Sequence, residues 1–109
     1  MRYVLSLLCL LVPLLAEAQS ATVTLLWEYN LPATGQDAFN VYRKTGQTGT
    51  YGAKLASVGP TLRTYADVSA TIGQVLCYVV RAAQGTAESP NSNEICTAVL
   101  IAPVNLRVQ

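Results

Sequence analysis

The chain has 109 residues, with seven Lys and Arg against six Asp and Glu and no histidine. This near-even balance gives no electrostatic reason to expect a nucleic acid or an anionic membrane surface as partner. The missing imidazole removes the commonest general base and metal ligand, so neither catalytic residues, nor a metal site, nor a cofactor are expected.

The first eighteen residues, "MRYVLSLLCLLVPLLAEA", read as a secretory signal peptide: Arg2 is basic, an apolar run follows from Tyr3 to Leu15, and Ala16-Glu17-Ala18 is an A-x-A cleavage site. The run is shorter than the roughly 20 residues needed to cross a bilayer, which argues against its rival, an uncleaved anchor, and against stable membrane insertion. Cleavage near Ala18 makes the mature protein secreted, either extracellular or periplasmic. Cys77 and Cys96 survive processing, and an even pair in a small exported domain is most simply a disulfide; free thiols or a two-ligand metal site are the alternatives.

Beyond residue 18 the pattern is period two rather than helical. In "ATVTLLWEY" Val23, Leu25 and Trp27 share one face. "NLPATGQD" then breaks the strand, and "AFNVYRK" places Phe39 and Val41 on one side with Asn40, Tyr42 and Lys44 on the other. "YGAKLASV" is a weaker, edge-like strand and "TYADV" a short one. "SATIGQ" turns a corner into "VLCYVVRAA", the strongest β run. "QGTAESP" reads as a loop, and "SNEICTAVLI" as the last strand. Six strands with turn signals every eight to twelve residues predict an all-β sandwich. Its core would take Val23, Leu25, Trp27, Phe39, Val41, Leu55 and Tyr65 from the first four strands, and Ile72, Leu76, Tyr78, Val80, Ile95 and Val99 from the remainder, with Trp27 as anchor.

The segments "VTLLWEY", "FNVYRKTG", "LASV…TYAD" and "CYVVRA…ESPNSNEICTAV" resemble a fibronectin type III domain of the kind found in bacterial and phage exported proteins, over about residues 21–101. The resemblance implies an immunoglobulin-like, two-sheet antiparallel sandwich across residues 19–101, followed by a strand-like tail at 102–109. It also implies a spacer or recognition module without chemistry of its own. Three departures stand out. The corner tyrosine is replaced by Leu76, three residues beyond Gly73; the apolar residue before the corner is the small Ala70; and the family's first strand is absent ahead of Trp27. Within this frame, an antiparallel final hairpin with Cys77 opposite Cys96 puts Tyr78 opposite Ile95 and Leu76 opposite Thr97, with the cysteines, Val79 and Arg81 on the outer face.

The family's recognition loops correspond to Leu31–Asp37, Gly59–Arg63 and Gln84–Pro90, making Asp37, Arg63 and Glu88 candidate binding residues for a protein or glycan at a cell surface. Tyr29, Tyr42 and Tyr51 are candidates for partly exposed recognition tyrosines. The five acids left after processing show no calcium or paired-carboxylate spacing, so no enzyme is expected. The tail "APVNLRVQ" is patterned like the missing first strand, with Val104, Leu106 and Val108 on one side and Asn105 and Arg107 on the other. Two functional readings follow: an exported adhesion or binding module, or a subunit that polymerises head to tail by donating Val104–Val108 to a neighbour's open sheet edge. The bland readings of the tail are a mobile segment or a strand packed locally in a manner unlike the family; a further one is that the chain is a truncated remnant of a longer protein.

Overall fold

The computed structural model describes residues 19–29 and 35–109; residues 1–18, expected as a signal peptide, and residues 30–34, within the first loop expected to take part in recognition, lie outside the described residues. Seven strands form: β1 (Ser20–Leu26), β2 (Ala38–Thr45), β3 (Ala56–Val58), β4 (Thr64–Thr71), β5 (Val75–Gln84), β6 (Ala87–Glu88) and β7 (Ile95–Ala98). One sheet contains β1 and β4. The other runs β3-β2-β5-β6, with β7 pairing further along β5. Every pairing is antiparallel.

Alternation of branched and aromatic residues explains the long strands: Val23 and Leu25 in β1, Phe39 and Val41 in β2, Leu76, Tyr78 and Val80 in β5. Leu25, Val41, Ala70, Leu76, Tyr78 and Val99 form the buried centre, and Val23, Trp27, Leu55, Tyr65, Ile72 and Val80 pack around it. Each such side chain, fully buried, contributes roughly 1.5–3 kcal/mol.

Several boundaries differ from the sequence expectation. β1 stops at Leu26, although the Trp27 N–H still donates to the Arg63 carbonyl at 3.0 Å. β3 keeps only three residues. β4 continues through Ala70 to Thr71, and the corner shrinks to a turn around Gly73, whose φ of 95° is open to glycine at little cost. With Leu76 in the tyrosine position, the corner is tied by backbone bonds instead: Gly73 N–H to Val99 O at 2.7 Å and Val99 N–H to Gln74 O at 3.0 Å.

The segment expected as a loop after β5 contains a strand. A two-residue turn at Gly85 and Thr86, with Gly85 at φ 59°, returns the chain as β6. Pro90, lacking an N–H, then interrupts the ladder before β7. Two serines bridge the gap. The Ala82 N–H donates to Ser89 Oγ at 3.0 Å and the Val80 N–H to Ser92 Oγ at 2.9 Å, so β5 keeps its hydrogen bonds.

Ala70 is no weak point. The β1–β4 register shifts between Ala21 and Val23, inserting an extra residue into β4, so Asp67 and Ala70 both face inward. Two expectations are corrected. Ile95 is 58% exposed rather than core, because β7 lies beside the unpaired edge of β1 and, among the described residues, no strand of the other sheet reaches over it. Tyr42, expected to be partly exposed, is buried on the outer face of the larger sheet together with Cys77 and Val79. There the Arg81 guanidinium lies 4.1 Å from the Tyr42 ring and the Lys44 ammonium 4.9 Å from the Tyr51 ring. These long side chains lie along the sheet, and their charged ends are paired there, Lys44 with Glu94 and Arg81 with Glu88.

Candidate functional site

Cys77 and Cys96 face each other across β5 and β7 and are joined by a disulfide; Tyr78 opposes Ile95 and Leu76 opposes Thr97. Glu94 lies beside the bridge, with Oε1 3.8 Å from Cys96 Sγ. Cys77, Glu94 and Cys96 are the one group of metal-type ligands among the described residues, and both sulfurs are held in the bridge, so neither offers a thiolate. The Glu94 carboxylate accepts from the Tyr51 hydroxyl at 2.6 Å and pairs with Lys44 at 3.2 Å.

The polar centre of the interior is Asp67, on the same face of β4 as Tyr65 and one of the acids for which the sequence offers no motif. Its side chain is 1% exposed. Oδ2 accepts from the Tyr78 hydroxyl at 2.7 Å and from Arg43 Nη1 at 2.8 Å; Oδ1 accepts from the Ser69 backbone N–H at 3.0 Å and its hydroxyl at 2.8 Å. Burial alone would raise this carboxyl, but the donors from Tyr78, Arg43 and Ser69 outweigh it and hold it below the ordinary range. Burial and the Asp67 carboxylate push the Tyr78 phenol upward. Tyr78 thus carries, two residues beyond Leu76, the kind of hydroxyl tether that the corner lacks. With both carboxylate oxygens occupied, the cluster joins the sheets and leaves no group free for acid–base work.

The three loop candidates are likewise engaged within the fold. Asp37 Oδ2 accepts from the Gly85 N–H at 3.0 Å and fixes the β5–β6 turn. Arg63 donates to the carbonyls of Pro60 and Leu62, and its guanidinium lies 4.8 Å from the Phe39 ring and 5.8 Å from the Tyr29 ring. Glu88 sits on β6 and accepts from Asn40 at 2.6 Å, from Arg81 at 2.9 Å and from the Tyr42 hydroxyl. Hydrogen bonds from Tyr42, Asn40 and Arg81 hold its carboxyl down at about 2.

The unsatisfied part of the molecule is the flank between β1 and β7. The Trp27 N–H points to Arg63 and the Gln19 carbonyl accepts from Ile72, so the odd-numbered residues of β1 direct their backbone groups toward β4. By alternation, Ser20, Thr22, Thr24 and Leu26 aim theirs at an edge with no partner strand among the described residues. Below that edge, between the sheets, runs a groove of about 410 Å³ lined by Leu25, Trp27, Tyr78, Val80, Asn93 and Ile95. It continues past Trp27, Val80 and Ser92 into a second hollow of about 230 Å³ walled by Phe39, Tyr29 and Pro90. Trp27 packs against Phe39 with ring centroids 5.7 Å apart, and its indole N–H is buried with no acceptor among the described residues. The core anchor of the sequence reading therefore doubles as the groove's wall. The groove escaped that reading because alternation describes faces of strands and not which neighbour stands beside an edge.

The tail is the other unsatisfied element. Residues 100–109 form no strand, and Val104, Leu106 and Val108 are 77%, 97% and 96% exposed. The alternative in which the tail packs locally on its own domain is not what the structure shows.

Neither the protein-family models nor the curated proteins contain a match to this chain. Among solved structures, one described as a myokine matches with a TM-score of 0.58 and 14% identity, over 78% of this chain and 88% of that one. At that identity the likeness concerns the fold alone. The chain is an all-β, fibronectin type III-like sandwich of two antiparallel sheets, open along one flank.

Proposed function

We propose that this protein is an exported, non-enzymatic recognition module that binds an extended polypeptide segment along its open flank. One observation carries the reading: the edge of β1 that has no partner among the described residues lies directly over a groove whose apolar wall is Trp27, Val80 and Ile95 and whose polar rim is Glu28, Ser92 and Asn93. A sheet edge supplies main-chain hydrogen bonds to any strand, and the hollow beneath selects alternate apolar side chains. Binding through the flank replaces the loop-tip reading, since Asp37, Arg63 and Glu88 already have partners within the domain.

Export is supported by the disulfide, which persists in oxidising compartments. No helix among the described residues is long and apolar enough to cross a membrane. The non-enzymatic reading is supported by the fold, which in the family the sequence resembles serves mainly as a spacer or contact module. The ligand class in this reading is an extended polypeptide strand, in preference to a glycan.

The test is chemical-shift mapping of the mature protein against a panel of extended peptides with alternating apolar and polar residues, and against oligosaccharides. Peptides should perturb Thr22, Thr24, Leu26 and the Trp27 indole, and Thr24→Pro should abolish the response. Perturbation confined to residues 59–63 and 84–90, or a response to sugars alone, would overturn the flank as the contact surface.

A further inference from the structure

Resting on that reading, we infer that the segment occupying the flank is the tail of a second copy of this chain. The two unsatisfied elements match in length. β1 has seven residues and the tail Ala102–Gln109 eight; at about 3.3 Å per residue they extend about 23 and 26 Å. They match in pattern as well: Val104, Leu106 and Val108 alternate with Asn105 and Arg107, as β1 alternates Val23, Leu25 and Trp27 with Thr24 and Leu26.

The positions of the chain ends decide whose flank is filled. Gly73 binds Val99 and Ile72 binds Gln19, so the tail leaves the domain at the pole where β1 begins. Lying in its own flank, the tail would run parallel to β1. A tail arriving from another copy at the opposite pole, beside Trp27 and Arg63, runs antiparallel, the pairing every other strand of this fold adopts. Each copy then donates at one pole and accepts at the other. That contact is heterologous, so it propagates from copy to copy, as a filament or, where the rotation between copies closes, as a ring.

Proline fixes the register. Apolar tail residues must face inward beside the odd residues of β1, and Pro103, with no N–H, must stay outside the ladder. Both conditions, with the longest overlap, put Val104 opposite Trp27, Leu106 opposite Leu25 and Val108 opposite Val23. Arg107 then faces Thr24 on the solvent side. Asn105, at φ 61° in the free tail, becomes extended on donation; asparagine passes between these conformations at small cost.

The experiment mixes two single variants of the mature chain, Thr24→Cys and Arg107→Cys, both at exposed positions. Opposed Cα atoms at about 5.5 Å lie within disulfide reach. Mild oxidation should give a cross-linked pair at least tenfold above a Ser57→Cys and Arg107→Cys control, and Leu106→Asp in the donor should remove it. Sedimentation of the unmodified protein should show species growing with concentration. A chain that stays monomeric and uncross-linked yet still binds foreign extended peptides at β1 overturns the donation and leaves the flank reading in place. A chain that does neither overturns both.

Discussion

The two sheets of this small sandwich are built to different standards. In the larger sheet, β2 and β5 are covered on both faces: inward by the apolar centre, outward by Tyr42, Lys44, Tyr51 and Arg81 lying along the surface under the control of Glu88 and Glu94. Among the described residues the smaller sheet has two strands, an outer face of exposed Thr22, Thr24, Leu26 and Val68, and an edge without a partner. The enclosed strands carry the buried interior, and the contact surface we propose lies where the strands are not enclosed. An unpaired edge is a hazard that folds ordinarily blunt with charge or proline. Ser20–Leu26 contains neither.

The comparison can be broken or sharpened by substitution. The largest loss should come from Asp67→Ala, which strands the Tyr78 hydroxyl and Arg43 between the sheets; urea unfolding should show a loss of about 3–5 kcal/mol, toward the lower end because Arg43 keeps 27% of its side chain in water. Replacing both Cys77 and Cys96 by Ala removes a cross-link spanning 19 residues, and should cost about 3 kcal/mol by the chain-entropy account. Tyr78→Phe leaves Asp67 with Arg43 and Ser69 and should cost about 1–2 kcal/mol.

Acid provides a milder probe. Glu88 ionises near 2 in the fold against 4.5 in the free side chain, so its stabilisation is complete above about pH 4.5 and disappears as pH falls toward 2. Solvent screening limits this contribution to about 1 kcal/mol. Asp67, also lowered, loses its contribution in the same direction below its ordinary value of 3.8. Stability should therefore be level from pH 8 to pH 5 and decline below, with Glu88→Gln flattening the first part of the decline. Thr24→Pro should change stability least, by under about 1 kcal/mol, since its N–H points away from β4, while blocking any strand from joining the edge.

Much of the larger sheet was legible in the sequence because its information is local. Val41 and the run from Leu76 to Val80 alternate cleanly, and setting Cys77 opposite Cys96 in an antiparallel hairpin gives a register that agrees with this alternation. The failures occur where a residue's position depends on a neighbour distant in sequence. The inward turn of Ala70 needs the bulge set by Asp67 and Ser69. The burial of Tyr42 needs Glu88, 46 residues away, and the short strand β6 that carries it was hidden in a segment rich in turn formers. Ile95 has the parity of a core residue, and only the missing neighbour of β1 explains its exposure. The candidate site is read least well from sequence because a groove arises from what is not adjacent, which no periodicity encodes.

The central claim, that the edge of β1 is an acceptor filled by another copy's tail, is tested most directly by amide hydrogen exchange at Thr22, Thr24 and Leu26 across a concentration series of the mature protein. The account predicts slow exchange at high concentration, fast exchange on dilution, and fast exchange at every concentration once residues 102–109 are removed. Exchange at these three amides that is equally fast in the intact chain at all concentrations would contradict it.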